Sequence, residues 1–292
     1  MPIPEFDAFI AIDWSGAVRG YNGIAVAICR KGGSAPEPVS PAGSRWTRGE
    51  IAAWLIARLR EPQRLLIGLD FAFGFPFEPG LGYLGGKAPG IDNIFDLWSL
   101  IETRSCNERD FGCIPFIRDP EYAALFWTEG RKPQGWMERK RRTEHACAEA
   151  TKTRPDTVYK LLHSKQVGKA SITGIRTLNH VRAVHGMRVA VWPFERVRAS
   201  ALVEIYPTMF RRMATGSIAK IRSLESLNAA LRRVNSKPMR SAGKLSDHDG
   251  DALLSAAGLR WIAGNQSVWK PPELSSLQVK REGWIFGVCN DK

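Results

Sequence analysis

Short apolar runs, each closed by a carboxylate or a turn residue, set the rhythm of this chain. Phe9-Ile10-Ala11-Ile12 ends at Asp13, a turn with Gly20, Asn22 and Gly23 follows, and residues 24–29 make a second run. Together they predict a β-hairpin. Lys31-Gly32-Gly33-Ser34 is another turn, and the Pro- and Ser-rich stretch 35–48 holds a weak third strand. Ile51, Trp54, Leu55, Ala57 and Arg58 recur at helical spacing behind Thr47. That predicts a helix over about 48–60 with Thr47 as its N-cap. Arg64-Leu65-Leu66-Ile67-Gly68-Leu69-Asp70 does not alternate. It reads as a strand buried on both faces and ending in a second carboxylate.

Regularity is lost after Asp70. Residues 71–79 are dense in Phe, Gly and Pro. Helical signal returns near 92–102, 120–127 and 136–150, the last containing Arg139-Lys140-Arg141-Arg142. The segment from about 76 to 172 reads as a large, mostly irregular or helical insertion or cap. Beyond it the pattern predicts a helix over 175–185, a strand over 188–194 and a strand over 202–207 stopped by Pro207. One or two helices then fill 208–234, a long helix starts at Ser246 and runs to about 262, and the tail from 265 is strand-like. This order predicts a mixed α/β fold, a central sheet flanked by helices, in one domain spanning 1–292.

Charge changes the picture more than composition does. The 292 residues are 44% hydrophobic, enough for a sizeable core, but the net charge is +13. That excess favours a polyanionic partner, nucleic acid first, although solubility alone also explains surface charge. The five cysteines, Cys29, Cys106, Cys113, Cys147 and Cys289, form no CxxC pair. A disulfide framework is therefore not expected, and a reducing cytoplasm is. Residues 1–5 lack the features of a signal peptide, and no apolar run is long enough for a bilayer.

The candidate chemistry lies in the acids at element ends. If the strands ending in Asp13 and Asp70 are parallel neighbours, both carboxylates emerge at one sheet edge, where open α/β sheets bind ligands. Two such carboxylates repel and call for a compensating cation, and Mg²⁺ or Mn²⁺ suits oxygen ligands. Asp247-His248-Asp249-Gly250-Asp251 opens the last helix. Helical geometry places Asp247, His248 and Asp251 on one face and turns Asp249 away. Glu204, a charge inside an apolar strand, is a further candidate. Each has an ordinary alternative. The cluster at 247–251 also fits helix capping, with Ser246 and Asp249 as a capping box. Asp13 also fits a turn, and Glu204 also fits pairing with a buried arginine.

Taken together, Ile12-Asp13-Trp14-Ser15-Gly16, Gly68-Leu69-Asp70-Phe71, Val203-Glu204-Ile205-Tyr206-Pro207 and Asp247-His248-Asp249-Gly250-Asp251-Ala252 resemble the DUF429 family of nuclease-like proteins. The resemblance spans about residues 7–262. It implies an RNase H-like core, the fold of Holliday-junction resolvases, integrases and transposases, and a metal-dependent nuclease acting on DNA or RNA. Asp13 would bridge two metals, with Asp70 and Asp251 each holding one side. His248 or Asp247 would complete a shell, and Glu204 would stand in or behind it. Lys244, Lys169 and Arg142 are the candidate phosphate contacts. Two departures stand out. Relatives often carry Ala-Pro-Leu after the second aspartate, where this chain has Phe71-Ala72-Phe73. Many also place an aspartate where His248 stands, and histidine would shift preference towards manganese.

Competing signals are thin. Trp127 and Trp136 suit base stacking or cap packing, and Cys106 and Cys113 read as buried apolar residues. His145, His163, His180 and His185 have no metal-ligand spacing. No G-x-S-x-G elbow, P-loop or GxGxxG is present. Two other functions remain open. One is actin-like ATPase or kinase-type phosphoryl transfer, with Asp13-Trp14-Ser15-Gly16 as a phosphate loop; the other is nucleic-acid binding without catalysis.

Overall fold

The computed structural model describes residues 3–17, 23–128, 130, 132–162, 167–241 and 243–289. The turn expected at Gly20 and Asn22 lies outside them, as does His163. In chain order the elements are β1 (Ala8–Asp13), β2 (Ala25–Arg30), β3 (Glu37–Val39), α1 (Arg48–Arg60), β4 (Leu65–Leu69), β5 (Phe77–Glu78) and β6 (Gly82–Tyr83). Then come α2 (Ile94–Ser105), α3 (Ile114–Arg118), α4 (Arg142–Thr151), α5 (Val167–His185), β7 (Val189–Val191) and β8 (Ser200–Glu204). The chain closes with α6 (Pro207–Thr215), α7 (Leu224–Arg233), α8 (Asp247–Ala263), α9 (Gln266–Trp269) and α10 (Leu277–Glu282).

Six strands form one mixed sheet in the order β3-β2-β1-β4-β8-β7. The β1–β2 and β2–β3 pairs are antiparallel; β1–β4, β4–β8 and β7–β8 are parallel. The expected α/β architecture, a mixed central sheet flanked by helices, is therefore present. Every residue of β1, β4 and β8 is buried, so these strands lack alternation because helices cover both sides. On one face Ile10, Ile12, Ile67, Leu69 and Leu202 pack with Ile51, Leu55, Leu97, Trp98, Ile175 and Leu178 of α1, α2 and α5. On the other, Phe9, Ala11, Leu66, Ala201 and Val203 pack with Phe210, Leu231, Leu253 and Ala257 of α6, α7 and α8.

Local chemistry accounts for the helix starts. The Thr47 side chain accepts from Glu50 N while Glu50 reaches back to Thr47 N, and Ser246 and Asp249 repeat that reciprocal box at α8. Segment 76–172 does not stand apart from the sheet. Phe75, Phe116, Phe126 and Tyr159 stack edge-on within the same apolar cluster as β1 and β4.

Several expectations need correction. The helix predicted from 175 begins at Val167; Gly174 suits that longer helix because a Cβ there would lie 2.5 Å from the Phe71 ring. The helix predicted over 136–150 begins only at Arg142, and 120–127 yields one 3-10 turn. The strand predicted over 202–207 ends at Glu204, and Pro207 opens α6 at a position where no N–H is needed. The strand-like tail is mainly helical. β8 already has neighbours on both sides, so Ile285 manages a single bridge beside Glu204.

Candidate acidic site

Register brings the first two carboxylates together. β1 and β4 run parallel with Ile12 opposite Leu69, so Asp13 and Asp70 leave the sheet side by side at its carboxyl edge. Strand alternation then decides which acids can join them. Asp13 shares its face with Phe9 and Ala11, which is the face that α8 covers. Leu69 pairs with Glu204, so Glu204 points to the opposite face, with Ile12 and Leu202. Glu204 is thus outside the group formed by Asp13 and Asp70.

Helix α8 brings its amino end to the acidic pair. His248 Nδ1 lies 2.5 Å from Asp13 Oδ2, and an ionised Asp13 requires Nδ1 to be the donor. Asp251, one helical turn on, is buried on the same side and adds its charge to that around Asp13 and Asp70. Asp247 turns outward to Arg222 at 2.5 and 2.9 Å, and Asp249 caps the helix. Gly250 lets α8 lie close against the loop before α7, since a Cβ there would lie 2.4 Å from the Ile221 carbonyl oxygen. The loop after β1 is fixed from the other side. Arg48, 2% exposed, donates to the carbonyls of Ser15 and Ala17, and Trp14 Nε1 donates to Thr173.

The electrostatics are those of an under-neutralised pair. Burial pushes the Asp13 carboxyl above its ordinary pKa, only partly offset by the hydrogen bond from His248. Asp70 is pushed well above its usual value, first by burial, then by the charges of Asp13 and Asp251. The two carboxyls are within hydrogen-bonding reach of each other, which requires a proton or a cation between them. Among the described residues no basic side chain bonds Asp70. His248 is raised by its bond to Asp13, and Asp247 is lowered by its bond to Arg222.

Asp251 is in a different position. Arg211 bonds one of its oxygens and Lys220 Nζ lies 2.5 Å from the other. Lys220 therefore places an ammonium at the edge of the acidic group, lowering the cost of charge on both Asp13 and Asp70. Glu204 is held by Arg141 at 2.5 and 2.8 Å and accepts from Phe73 N at 3.0 Å. Of the expected phosphate contacts, Lys244 is exposed two residues before Ser246, and Lys169 lies in the first turn of α5 against Gly16. Arg142 sits apart, its guanidinium on Gln278 and its backbone N–H on Glu282. Arg211, Lys220, Arg222 and Arg141 escaped the sequence reading. An acid cluster in a chain this basic signals that cations must sit beside it, but spacing does not say which.

A divalent cation is tested by this donor set. Asp13 and Asp70 supply hard oxygen ligands with charge left over, which suits Mg²⁺ or Mn²⁺, ions that need only one or two protein carboxylates. Among the described residues the other expected ligands are engaged: Asp247 and Asp251 already have cations, and His248 Nδ1 is committed to Asp13. Among the described residues no group of three or more His, Cys, Asp or Glu side chains is arranged to hold a metal. The pair fits one ion with water and substrate oxygens completing its shell. It does not match the larger ligand set expected from the sequence. Among the described residues no disulfide joins the cysteines, and no helix is long and apolar enough to cross a membrane. Comparison of the chain with protein-family models, curated proteins and solved structures finds no match.

Proposed function

We propose that this protein is a divalent-cation-dependent hydrolase of phosphodiester bonds in nucleic acid, on an RNase H-like core. The observation that carries the reading is the juxtaposition of Asp13 and Asp70 on neighbouring parallel strands, with no basic side chain on Asp70 among the described residues. A site built only for stability would give Asp70 a basic partner of its own, as Asp251 and Glu204 have. The net charge of +13 supports a polyanionic substrate.

In this reading Asp13 and Asp70 hold Mg²⁺ or Mn²⁺, which when bound polarises the phosphate and makes water more acidic. His248 fixes the orientation of the Asp13 carboxylate through Nδ1. Asp251, clamped by Arg211, aims the Lys220 ammonium towards the place where substrate phosphate charge would lie. The clamp on the 14–17 loop keeps Asp13 at its edge position.

The test is cleavage of labelled DNA and RNA with Mg²⁺ or Mn²⁺, comparing wild type with Asp13→Asn and Asp70→Asn. Each substitution is expected to lower the rate at least about a hundredfold. Equal rates in all three proteins overturn the proposal. A second reading, nucleic-acid binding without hydrolysis, is favoured by the neutralised state of Asp251. It predicts undiminished binding in both variants and no cleavage by any of the three.

A further inference from the structure

Residues 232–244 carry Arg232, Arg233, Lys237, Arg240 and Lys244, and no acid occurs from 226 to 246. All five side chains are exposed. Among the described residues none of the five makes an ion pair, whereas Lys31, Arg58, Arg104, Arg139 and Arg182 each do.

The segment carrying them is held in place. Lys237 N donates to the Gly33 carbonyl at 2.8 Å, and the Ser236 hydroxyl donates to the Ser34 carbonyl at 3.0 Å. Met239 N and the Met239 carbonyl both bond the Asn228 amide, at 2.8 and 3.0 Å. Val234, Ser236 and Met239 are buried and anchor the segment, leaving the cations outside. Its course is fixed at both ends. Arg260 of α8 bonds the Asn235 carbonyl, and the segment ends at Ser246, the N-cap of the same helix. Arg260 stands thirteen residues after Asp247, so the segment travels back along about 20 Å of α8, at 1.5 Å per residue. It arrives at the end that places His248 on Asp13.

We infer that residues 232–244 form a track for the phosphate backbone of nucleic acid, leading it along α8 to Asp13 and Asp70. The inference rests on the proposed nucleic-acid reading and adds to it the surface and the direction of approach. About 20 Å corresponds to roughly six phosphates of one strand, at 3.4 Å each, so five cations match that length without needing to read a base. The anchored backbone of residues 235–239 lowers the ordering cost that a flexible basic tail would meet on binding.

The experiment uses the full chain in EDTA, so that binding is read without cleavage. The probe is a fluorescein-labelled 20-base-pair DNA duplex, titrated over a series of salt concentrations. Wild type is compared with R232Q/R233Q/K237Q/R240Q/K244Q and with a control that removes the same charge elsewhere, K87Q/R118Q/K152Q/R196Q/K280Q. The track variant should bind about a hundredfold more weakly at 100 mM salt, with a log–log salt slope shallower by about 4–5, near 0.9 per lost contact. The control should shift far less. The pair variant R240Q/K244Q should lose a slope of about 2, so the test survives if the fivefold variant folds poorly. Equal losses in track variant and control overturn the track. So does unchanged duplex binding by the track variant together with lost binding to phosphatidylserine vesicles. If wild type itself shows no salt-dependent duplex binding, the nucleic-acid reading fails, and the track with it.

Discussion

Arg139, Lys140, Arg141 and Arg142 stand in four consecutive positions, and the fold takes up all four. Arg139 bonds Glu78 at 2.8 Å, Lys140 lies 3.3 Å from Glu138, Arg142 bonds Gln278, and Arg141 is buried between Glu144 and Glu204. The five cations of 232–244 are more widely spaced and have no acid among the described residues. The difference is one of acid supply. The first run is surrounded by carboxylates from β5, β8, α4 and α10; the second has none within its own segment. The density of positive charge along the sequence therefore does not by itself mark an unpaired surface: the dense run is matched by acids, and among the described residues the more dilute run is not.

The sharpest way to break this contrast is Arg141→Met. Removing the guanidinium leaves Glu144 and Glu204 buried without a counter-ion, and losing one partner of a buried pair costs about 3–5 kcal/mol. Urea unfolding at pH 8 should show a loss of that size. Burial holds Glu144 up at about 7 even with Arg141 beside it, so without Arg141 its folded-state pKa rises further. A raised carboxyl pKa penalises the fold as pH climbs from the unfolded value through the folded one. The Arg141→Met deficit should therefore shrink below pH 5. A deficit under 1 kcal/mol at pH 8 would mean that this run is not committed to the interior, and the contrast would fall.

A smaller effect of opposite sign is expected at the acidic pair. Asp70 has a raised pKa, so its ionised form weighs against the fold at every pH above the ordinary carboxylate range. Asp70→Asn removes that penalty. Without divalent ions it should raise the unfolding midpoint by a few degrees at pH 7.5, the scale of about 1 kcal/mol in a chain of this size. The gain should vanish near pH 3, where both proteins are uncharged at this position. Millimolar Mn²⁺ should stabilise wild type and not the variant. A midpoint for Asp70→Asn no higher than wild type in EDTA would show that the pair is already neutralised.

How far the sequence disclosed this arrangement depends on the range of the signal involved. Thr47 and Ser246 marked their helices because a capping box lies within four residues. Asp13 and Asp70 marked strand ends, and a continuous apolar run implied the buried parallel strands that bring them together. The face of Glu204 was also readable, since it is two residues from Leu202, but only once the β4–β8 register was known. The partners were not legible. Arg211 and Lys220 reach Asp251 from 40 and 31 positions away, and Arg141 reaches Glu204 from 63. The tail after 265 misled because its apolar residues fill the second core as single side chains, such as Trp269, Trp284 and Phe286, rather than as strands.

The smallest expected effect lies between the two basic runs, at Arg222. Its side chain is 71% exposed, yet it bonds Asp247 with two nitrogens. It is a paired cation by geometry and a surface cation by environment. Solvent screens such pairs heavily, so Arg222→Gln should leave the thermal midpoint unchanged within error. If Arg222 belongs with the committed run, duplex binding in EDTA should be unaffected as well. If it shifts to phosphate when a duplex arrives, the log–log salt slope should fall by about one contact. Asp247→Asn separates these outcomes further, because it frees Arg222 without removing its charge. Tighter duplex binding by Asp247→Asn, matched by weaker binding of Arg222→Gln, would extend the track past Lys244 to the rim of the acidic site. Unchanged binding in both would end the track at Lys244.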